Sequence, residues 1–118
     1  MMSACPDPLW PSYRAGARLT VDLDAIASNY RYLQTLASGA SCAAVVKADA
    51  YGLGIERVAP VLENAGATDF FVAHVDEGIR LRSVVSEKAR ITVLHGPRPG
   101  ASGDCVRYGL RPVLNSLE

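Results

Sequence analysis

The chain of 118 residues is 49% hydrophobic and 20% charged, and its 12 basic and 12 acidic side chains give a formal net charge of zero. This composition is typical of a globular domain and excludes a disordered chain. The balanced charge gives no indication of a nucleic-acid partner, and no apolar stretch approaches the roughly 18 residues of a membrane span. We therefore expect neither nucleic acid nor a membrane as a partner.

The three cysteines, Cys5, Cys42 and Cys105, are widely spaced and form no CxxC pair. This pattern predicts neither a disulfide framework nor a zinc site, so we expect no bound metal. The first six residues carry neither the basic segment nor the apolar segment of a secretory signal. Together these features predict a cytoplasmic protein.

The first 18 residues are rich in proline and are predicted to form an irregular arm, followed by one domain over residues 19–118. Leu19–Leu23 alternates between apolar and polar residues, which is typical of a half-exposed strand. Asp24 is then expected to cap a helix that ends at Gly39.

Residues 42–47, with the sequence Cys-Ala-Ala-Val-Val-Lys, predict a strand that is buried on both faces, as in a parallel sheet covered by helices. An apolar stripe at helical spacing follows and ends at Gly66, which predicts a helix. Pro60 lies inside this stripe and marks either the first turn of the helix or a kink. The stripe consists of Ile55, Val58, Ala59, Leu62 and Ala65.

Three more strands are predicted at Asp69–His74, Ile91–Gly96 and Arg111–Asn115. Asp76 is expected to cap the helix after the first of these, and a short helical segment is expected near residues 102–108. Repeated strand–helix units of this size fit an α/β fold, either a doubly wound sheet or a (β/α)8 barrel.

The last four residues, Asn115 to Glu118, have the pattern of an N-cap and the first residues of a helix. A complete barrel takes roughly 250 residues. We therefore expect this chain to be the amino-terminal part of a larger protein and to lack that protein's carboxyl-terminal β domain.

Lys47 ends the predicted buried strand, and lysine is almost never fully buried unless it is paired or used. Partial burial would favour the neutral amine, which can attack a carbonyl to form a Schiff base or act as a general base. Tyr51 follows four residues later, where its phenol could donate to a phosphate. Gly52 and Gly54 leave room for backbone to approach an anion near the next helix.

The spacing alone also fits a lysine that only extends to solvent, a tyrosine packed on the loop and glycines in a turn. His74 and His95 end neighbouring predicted strands, where they either pack locally or line a site. Asp22, Asp24 and Asp76 are interpreted as strand-end and cap residues.

The stretch Ala44–Gly54 closely resembles the pyridoxal-phosphate attachment motif of the alanine racemases. Residues 19–30, 71–82 and 112–118 are also similar to segments of that family, so the resemblance covers nearly all of residues 19–118. The one departure in the motif is Leu53, where the family often has histidine. This position is neither the lysine nor the tyrosine that contacts the cofactor.

The resemblance implies a pyridoxal-phosphate-binding (β/α)8 barrel, of which only the amino-terminal portion is present. Lys47 would hold pyridoxal 5'-phosphate as the internal aldimine and exchange the proton on one face of the alanine Cα, and Tyr51 would contact the phosphate. In the family, a tyrosine from the partner subunit of a homodimer serves the opposite face. No role is transferred to Tyr13, Tyr30, Tyr32 or Tyr108, which match no such motif.

The implied activity is interconversion of L-alanine and D-alanine, which supplies D-alanine for peptidoglycan synthesis. The 118-residue chain by itself is predicted to be inactive. Two alternatives remain at this point. One is a non-catalytic pyridoxal-phosphate-binding barrel of the homeostasis type, and the other is a small doubly wound binding module without a cofactor.

Overall fold

The computed structural model describes residues 11–117, which form an α/β fold with four strands. A short 3-10 turn (Ser12–Arg14) precedes the regular elements. The residues 1–10 of the predicted arm, including Cys5, lie outside the described residues. The elements in chain order are α1 (Leu23–Leu36), β1 (Ala44–Val45), α2 (Lys47–Tyr51), α3 (Ile55–Asn64), β2 (Asp69–Val72), α4 (Val75–Arg82), β3 (Arg90–Val93), α5 (Ser102–Arg107) and β4 (Leu110–Pro112).

The four strands form one parallel sheet in the order β1-β2-β3-β4. Phe70 of β2 lies opposite Ala44 of β1 and Ile91 of β3, and Ile91 lies opposite Leu110 of β4. At least one helix connects each strand to the next, which confirms the predicted succession of strand–helix units. All four carboxyl ends therefore meet at one edge of the sheet, where parallel α/β folds place their sites.

The sheet has one buried face and one that is partly open. Val46, Phe70, Val72, Ile91 and Val93 lie in the core, each at most 1% exposed. In contrast, Val45 is 45% exposed, because successive side chains of a strand point to opposite faces. The prediction of a strand over residues 42–47 buried on both faces is therefore wrong: β1 is short, and only one of its faces is covered within the described residues.

The predicted strand Leu19–Leu23 is also wrong. Residues 17–22 have no ladder partner within the described chain, and the helix α1 already begins at Leu23. Asp22, rather than Asp24, is the N-cap, since its carboxylate accepts the N–H of Ala25 at 2.9 Å. Asp24 instead lies in the first turn, where its negative charge interacts favourably with the helix dipole.

Tyr30 anchors α1 to the segment that leads into β1. Its hydroxyl donates to the carbonyl of Cys42 at 2.7 Å, and the side chain is only 6% exposed. Burial raises the pKa of Tyr30, so the phenol stays protonated and can keep donating. Cys42 and Cys105 are free thiols, half-buried and buried respectively.

The predicted stripe of α3 is confirmed, and Pro60 lies inside the helix rather than in its first turn. The helix continues through Pro60, which has no N–H to donate to the carbonyl of Glu56. Gly66 follows the helix with φ of 109°, a conformation that glycine adopts without strain.

The other strands were placed correctly but predicted too long. β2 and β3 end at Val72 and Val93, and His74, rather than Asp76, is the N-cap of α4. The short helix predicted near residues 102–108 is confirmed as α5.

The helix expected to start at Asn115 is not present among residues 115–117. The side-chain amide of Asn115 instead donates to the carbonyl of Leu94 at 2.9 Å. Glu118 lies outside the described residues.

Between residues 11 and 117, no helix has both the length and the apolar character needed to cross a membrane.

Candidate active site

Lys47 lies at the carboxyl-terminal edge of the sheet, two residues after the end of β1. Its side chain is half-buried, and it makes no hydrogen bond or ion pair with any described residue. Val46 just before it is 1% exposed and donates its N–H to the carbonyl of Phe71 at 2.9 Å. The backbone of Lys47 is therefore attached to the sheet, while its amine has no partner in the described part of the chain.

The chain after Lys47 forms a left-handed turn. Ala48, Asp49 and Ala50 have φ between 51° and 56° and ψ of 47° or 48°, and Tyr51 has φ of 56°. Left-handed helical backbone costs roughly 1–2 kcal/mol per residue for side chains with a Cβ, and it normally occurs at single positions. Four such residues in succession therefore need support from the surrounding structure.

Hydrogen bonds within the turn supply part of that support. The N–H of Ala50 donates to the carbonyl of Val46 at 3.0 Å, and the N–H of Gly52 donates to the carbonyl of Ala48 at 2.9 Å. Gly52 and Gly54 have φ of 83° and 94°, and an added Cβ at either would meet no atom within 4 Å. Glycine is favoured here by the backbone conformation and not by lack of space.

The amino end of α3 is already capped by a side chain from the turn. Oδ1 of Asp49 accepts the N–H of Ile55 at 2.9 Å. A cofactor anion would therefore share this helix end with a carboxylate. The sequence-based idea that Gly52 and Gly54 open it for an anion receives no support from this arrangement.

Glu77 connects the turn to α4. Its Oε1 accepts the N–H of Ala48 at 2.7 Å, and its Oε2 accepts the N–H groups of Ala73 at 2.7 Å and His74 at 3.0 Å. Burial opposes the charged form of Glu77, but the backbone donors outweigh it and lower the pKa of this carboxyl. Glu77 is not among the site residues predicted from the sequence, although an acidic residue three positions after an N-cap is a capping signal.

Arg80 connects the same turn to α3 and α4. Its guanidinium lies 3.2 Å from Asp49 and makes two hydrogen bonds to the carboxylate of Glu56, the Nη2–Oε2 bond being 2.8 Å. This guanidinium lowers the pKa of Glu56, and the same hydrogen bonds raise the pKa of Arg80. Arg80 is exposed on α4, and the structure gives it partners on the turn and on α3.

Tyr51 ends the left-handed turn and is 62% exposed. Its hydroxyl makes no hydrogen bond to another described residue. This exposed phenol, four residues after Lys47, is available to donate to an external acceptor.

His74 and His95 meet at the carboxyl ends of β2 and β3. Their Nδ1 atoms are 3.2 Å apart, so one ring donates and the other accepts. They line an open cleft of about 530 Å³ that also contains Asp76, Arg98 and Asp104. Lys47 and Tyr51 do not line this cleft, so the structure brings the two histidines together but not into contact with the lysine.

The chemistry of the site follows from these groups. A primary amine that no other described residue engages can bind an aldehyde covalently or transfer a proton, and a neighbouring phenol can donate to an oxyanion. Between residues 11 and 117, no group of three or more histidine, cysteine or acidic side chains could hold a metal ion.

Comparison with known proteins shows one family. Residues 21–118 match the family described as "Alanine racemase, N-terminal domain". The chain is 55% identical over 101 residues to the alanine racemase of Methylobacterium nodulans, and the aligned region covers 86% of this chain and 27% of that protein. It is 50% identical over 104 residues to the alanine racemase of Brucella ovis, covering 88% of this chain and 26% of that protein.

Solved structures show the same relationship. The crystal structure of alanine racemase from Bartonella henselae with covalently bound pyridoxal phosphate superposes with a TM-score of 0.79 at 42% identity, covering 81% of this chain and 27% of that one. Alanine racemase from Streptomyces coelicolor A3(2) gives 0.77 at 33% identity, covering 82% of this chain and 26% of that one. The chain thus spans only about a quarter of the proteins that it matches.

Proposed function

The chain belongs to the alanine racemase family, as its N-terminal domain, and from that premise we propose that it supplies the lysine side of an active site that interconverts L-alanine and D-alanine. The fold is accordingly the N-terminal part of a (β/α)8 barrel. The observation that carries the proposal is Lys47: at the carboxyl-terminal edge of a parallel sheet, its amine has no partner among residues 11–117. The similar protein from Bartonella henselae carries covalently bound pyridoxal phosphate.

The donor set around Lys47 fits pyridoxal 5'-phosphate. Covalent attachment needs an amine that is not already used in an ion pair, and Lys47 meets this condition within the described residues. A phosphate needs donors, and the exposed hydroxyl of Tyr51 is such a donor. Lys47 would hold the cofactor through its amine, and Tyr51 would donate to a phosphate oxygen.

When bound, pyridoxal phosphate serves as an electron sink that acidifies the Cα–H of an amino acid. Lys47 then takes or returns the proton at Cα on one face. The left-handed turn keeps Tyr51 at a fixed position relative to Lys47, so the phosphate contact also orients the reacting carbon.

Racemisation also needs a proton donor on the opposite face of Cα. None of the tyrosines in this chain matches a motif for that role, and Tyr30 is committed to the carbonyl of Cys42. We therefore propose that the second proton carrier is a tyrosine of a partner subunit, so that the active enzyme is a homodimer. The enzyme would act in the cytoplasm, and its product D-alanine would be used for peptidoglycan synthesis.

Trapping the cofactor tests this proposal. The chain is incubated with pyridoxal phosphate and reduced with borohydride, and its peptides are then mapped. The chain has two lysines, and Lys88 is exposed, so Lys88 serves as an internal control. We expect the adduct on Lys47, its loss in Lys47→Arg, and no change in Lys88→Arg. Equal labelling of both lysines would overturn the assignment of Lys47.

A further inference from the structure

Lys47 is followed by a backbone conformation that the local sequence does not favour. The residues after it are alanine, aspartate, alanine and tyrosine, all with left-handed backbone. Of these, only aspartate adopts that conformation with any frequency. An external group must therefore select the left-handed turn over an ordinary one.

Glu77 is placed to make that selection. Its carboxylate spans from Ala48, the first left-handed residue, at 2.7 Å, to the N–H groups of Ala73 and His74. One side chain thus joins the residue after Lys47 to the end of β2 and the beginning of α4. Asp49 and Arg80 add a second connection from the turn to α4 at 3.2 Å.

The charge of Glu77 matters because all three of its partners are donors. A carboxylate has only acceptor sites and can serve them together. A glutamine side chain would keep one acceptor oxygen and turn an NH2 group toward at least one N–H. Glutamine therefore has nearly the same shape but cannot accept hydrogen bonds from Ala48 and from the Ala73 and His74 pair together.

We propose that Glu77 is a positioning residue for the active site: by accepting the N–H of Ala48 it holds the left-handed turn and so fixes the Lys47 amine and the Tyr51 hydroxyl relative to each other. The role in catalysis rests on the proposed function of Lys47. The contact itself is a property of the chain without any ligand.

Glu63 provides a matched control. Its carboxylate also accepts a backbone N–H, that of Ser86, at 3.0 Å and 3.2 Å, and it accepts the Ser86 hydroxyl at 2.6 Å. It therefore connects α3 to the loop after α4 without contacting the Lys47 turn. Glu63→Gln should weaken the fold in a comparable way and leave the turn unchanged.

The experiment compares the full chain with Glu77→Gln, Glu77→Asp and Glu63→Gln. Amide hydrogen exchange at Ala48 is measured without cofactor, and the rate of borohydride-trapped labelling of Lys47 is measured at limiting pyridoxal phosphate. Glu77→Asp keeps a negative charge at the amino end of α4 but is one methylene too short to span to Ala48. If Glu77→Gln does not fold, Glu77→Asp is therefore the variant that tests the contact with Ala48.

We expect both Glu77 variants to lose protection at Ala48 and to label Lys47 roughly ten- to a hundredfold more slowly, since small misplacements of a reacting group have effects of that size. Glu63→Gln should match the parent chain in both measurements. Unchanged protection and an unchanged rate in a folded Glu77 variant would overturn the inference alone. Absence of Lys47 labelling in the parent chain would instead overturn the proposed function, and the catalytic role of Glu77 with it.

Discussion

Arg80 of α4 lies 3.2 Å from Asp49, the second left-handed residue after Lys47. The same guanidinium binds both carboxylate oxygens of Glu56 on α3. One exposed cation thus joins two helices and the turn that carries the candidate catalytic lysine. The interaction is electrostatic and accessible to solvent, so its strength depends on ionic strength.

Replacing Arg80 by glutamine should lower the urea midpoint of unfolding at low salt, because two carboxylates lose their partner. The difference from the parent chain should shrink as sodium chloride is added, since salt screens exposed charges. Urea titrations at low and high salt measure this. Arg31→Gln, an exposed change on α1, should show no such salt dependence, and an equal response of both variants would argue against the role of Arg80.

Glycine at position 48 should not destabilise the chain and should raise its stability slightly. Alanine in left-handed backbone costs about 1–2 kcal/mol, whereas glycine loses about 0.5–1 kcal/mol through the entropy of the unfolded chain. Ala25→Gly is the control, because Ala25 is exposed in the right-handed helix α1, where glycine is less favourable than alanine. Thermal melts of the two variants should therefore shift in opposite directions; a similar loss in both would contradict the left-handed turn.

Acid should remove the stability that Glu77 provides. The pKa of Glu77 is lowered from 4.5 in the folded chain, so at acid pH the unfolded chain binds more protons than the folded one. Its contribution is complete above about pH 4.5, the unfolded value, and is lost as the pH falls through the lower folded pKa.

The measurement for Glu77 is the difference in urea midpoint between the parent chain and Glu77→Gln. This difference should be constant from neutral pH down to about pH 5 and should narrow below the unfolded pKa of 4.5. A difference that grows on acidification would mean that Glu77 is not the hydrogen-bonded carboxylate described here.

Gly96 should tolerate substitution less well than Gly52, although both have left-handed backbone. Their φ angles are 69° and 83°, so alanine at either position carries a conformational cost of about 1–2 kcal/mol. A Cβ on Gly96 would also lie 2.4 Å from the carbonyl oxygen of Val113, whereas a Cβ on Gly52 meets nothing within 4 Å. Gly96→Ala should therefore cost about 1–3 kcal/mol more than Gly52→Ala in chemical unfolding. Equal costs would show that the Val113 segment moves freely.

Sequence patterns predicted those parts of the fold that local periodicity controls. The apolar stripe of α3 gave the correct helix, and the succession of strands and helices gave the parallel sheet. The predicted element boundaries were wrong where a capping side chain starts a helix inside a stretch whose apolar pattern is typical of a strand. Asp22 begins α1 inside what reads as a strand, and His74 begins α4 inside what reads as β2.

The candidate site could be predicted only in part. Lys47 and Tyr51 are recognisable because their neighbours resemble a motif. The left-handed turn between them has no local signal, since alanine at positions 48 and 50 is typical of right-handed helix. The turn depends on Glu77, which is 29 residues from Ala48 along the chain, and contacts at that separation do not follow from periodicity.

The order of the strands has a consequence for how this chain is made. Each strand pairs with the strand that precedes it in the sequence, so a nascent chain emerging from the ribosome always presents the edge that the next strand requires. The sheet can therefore grow in the direction of translation without rearranging earlier pairings. The Lys47 turn, whose carboxylate support arrives with α4, would become fixed only after α4 has been synthesised.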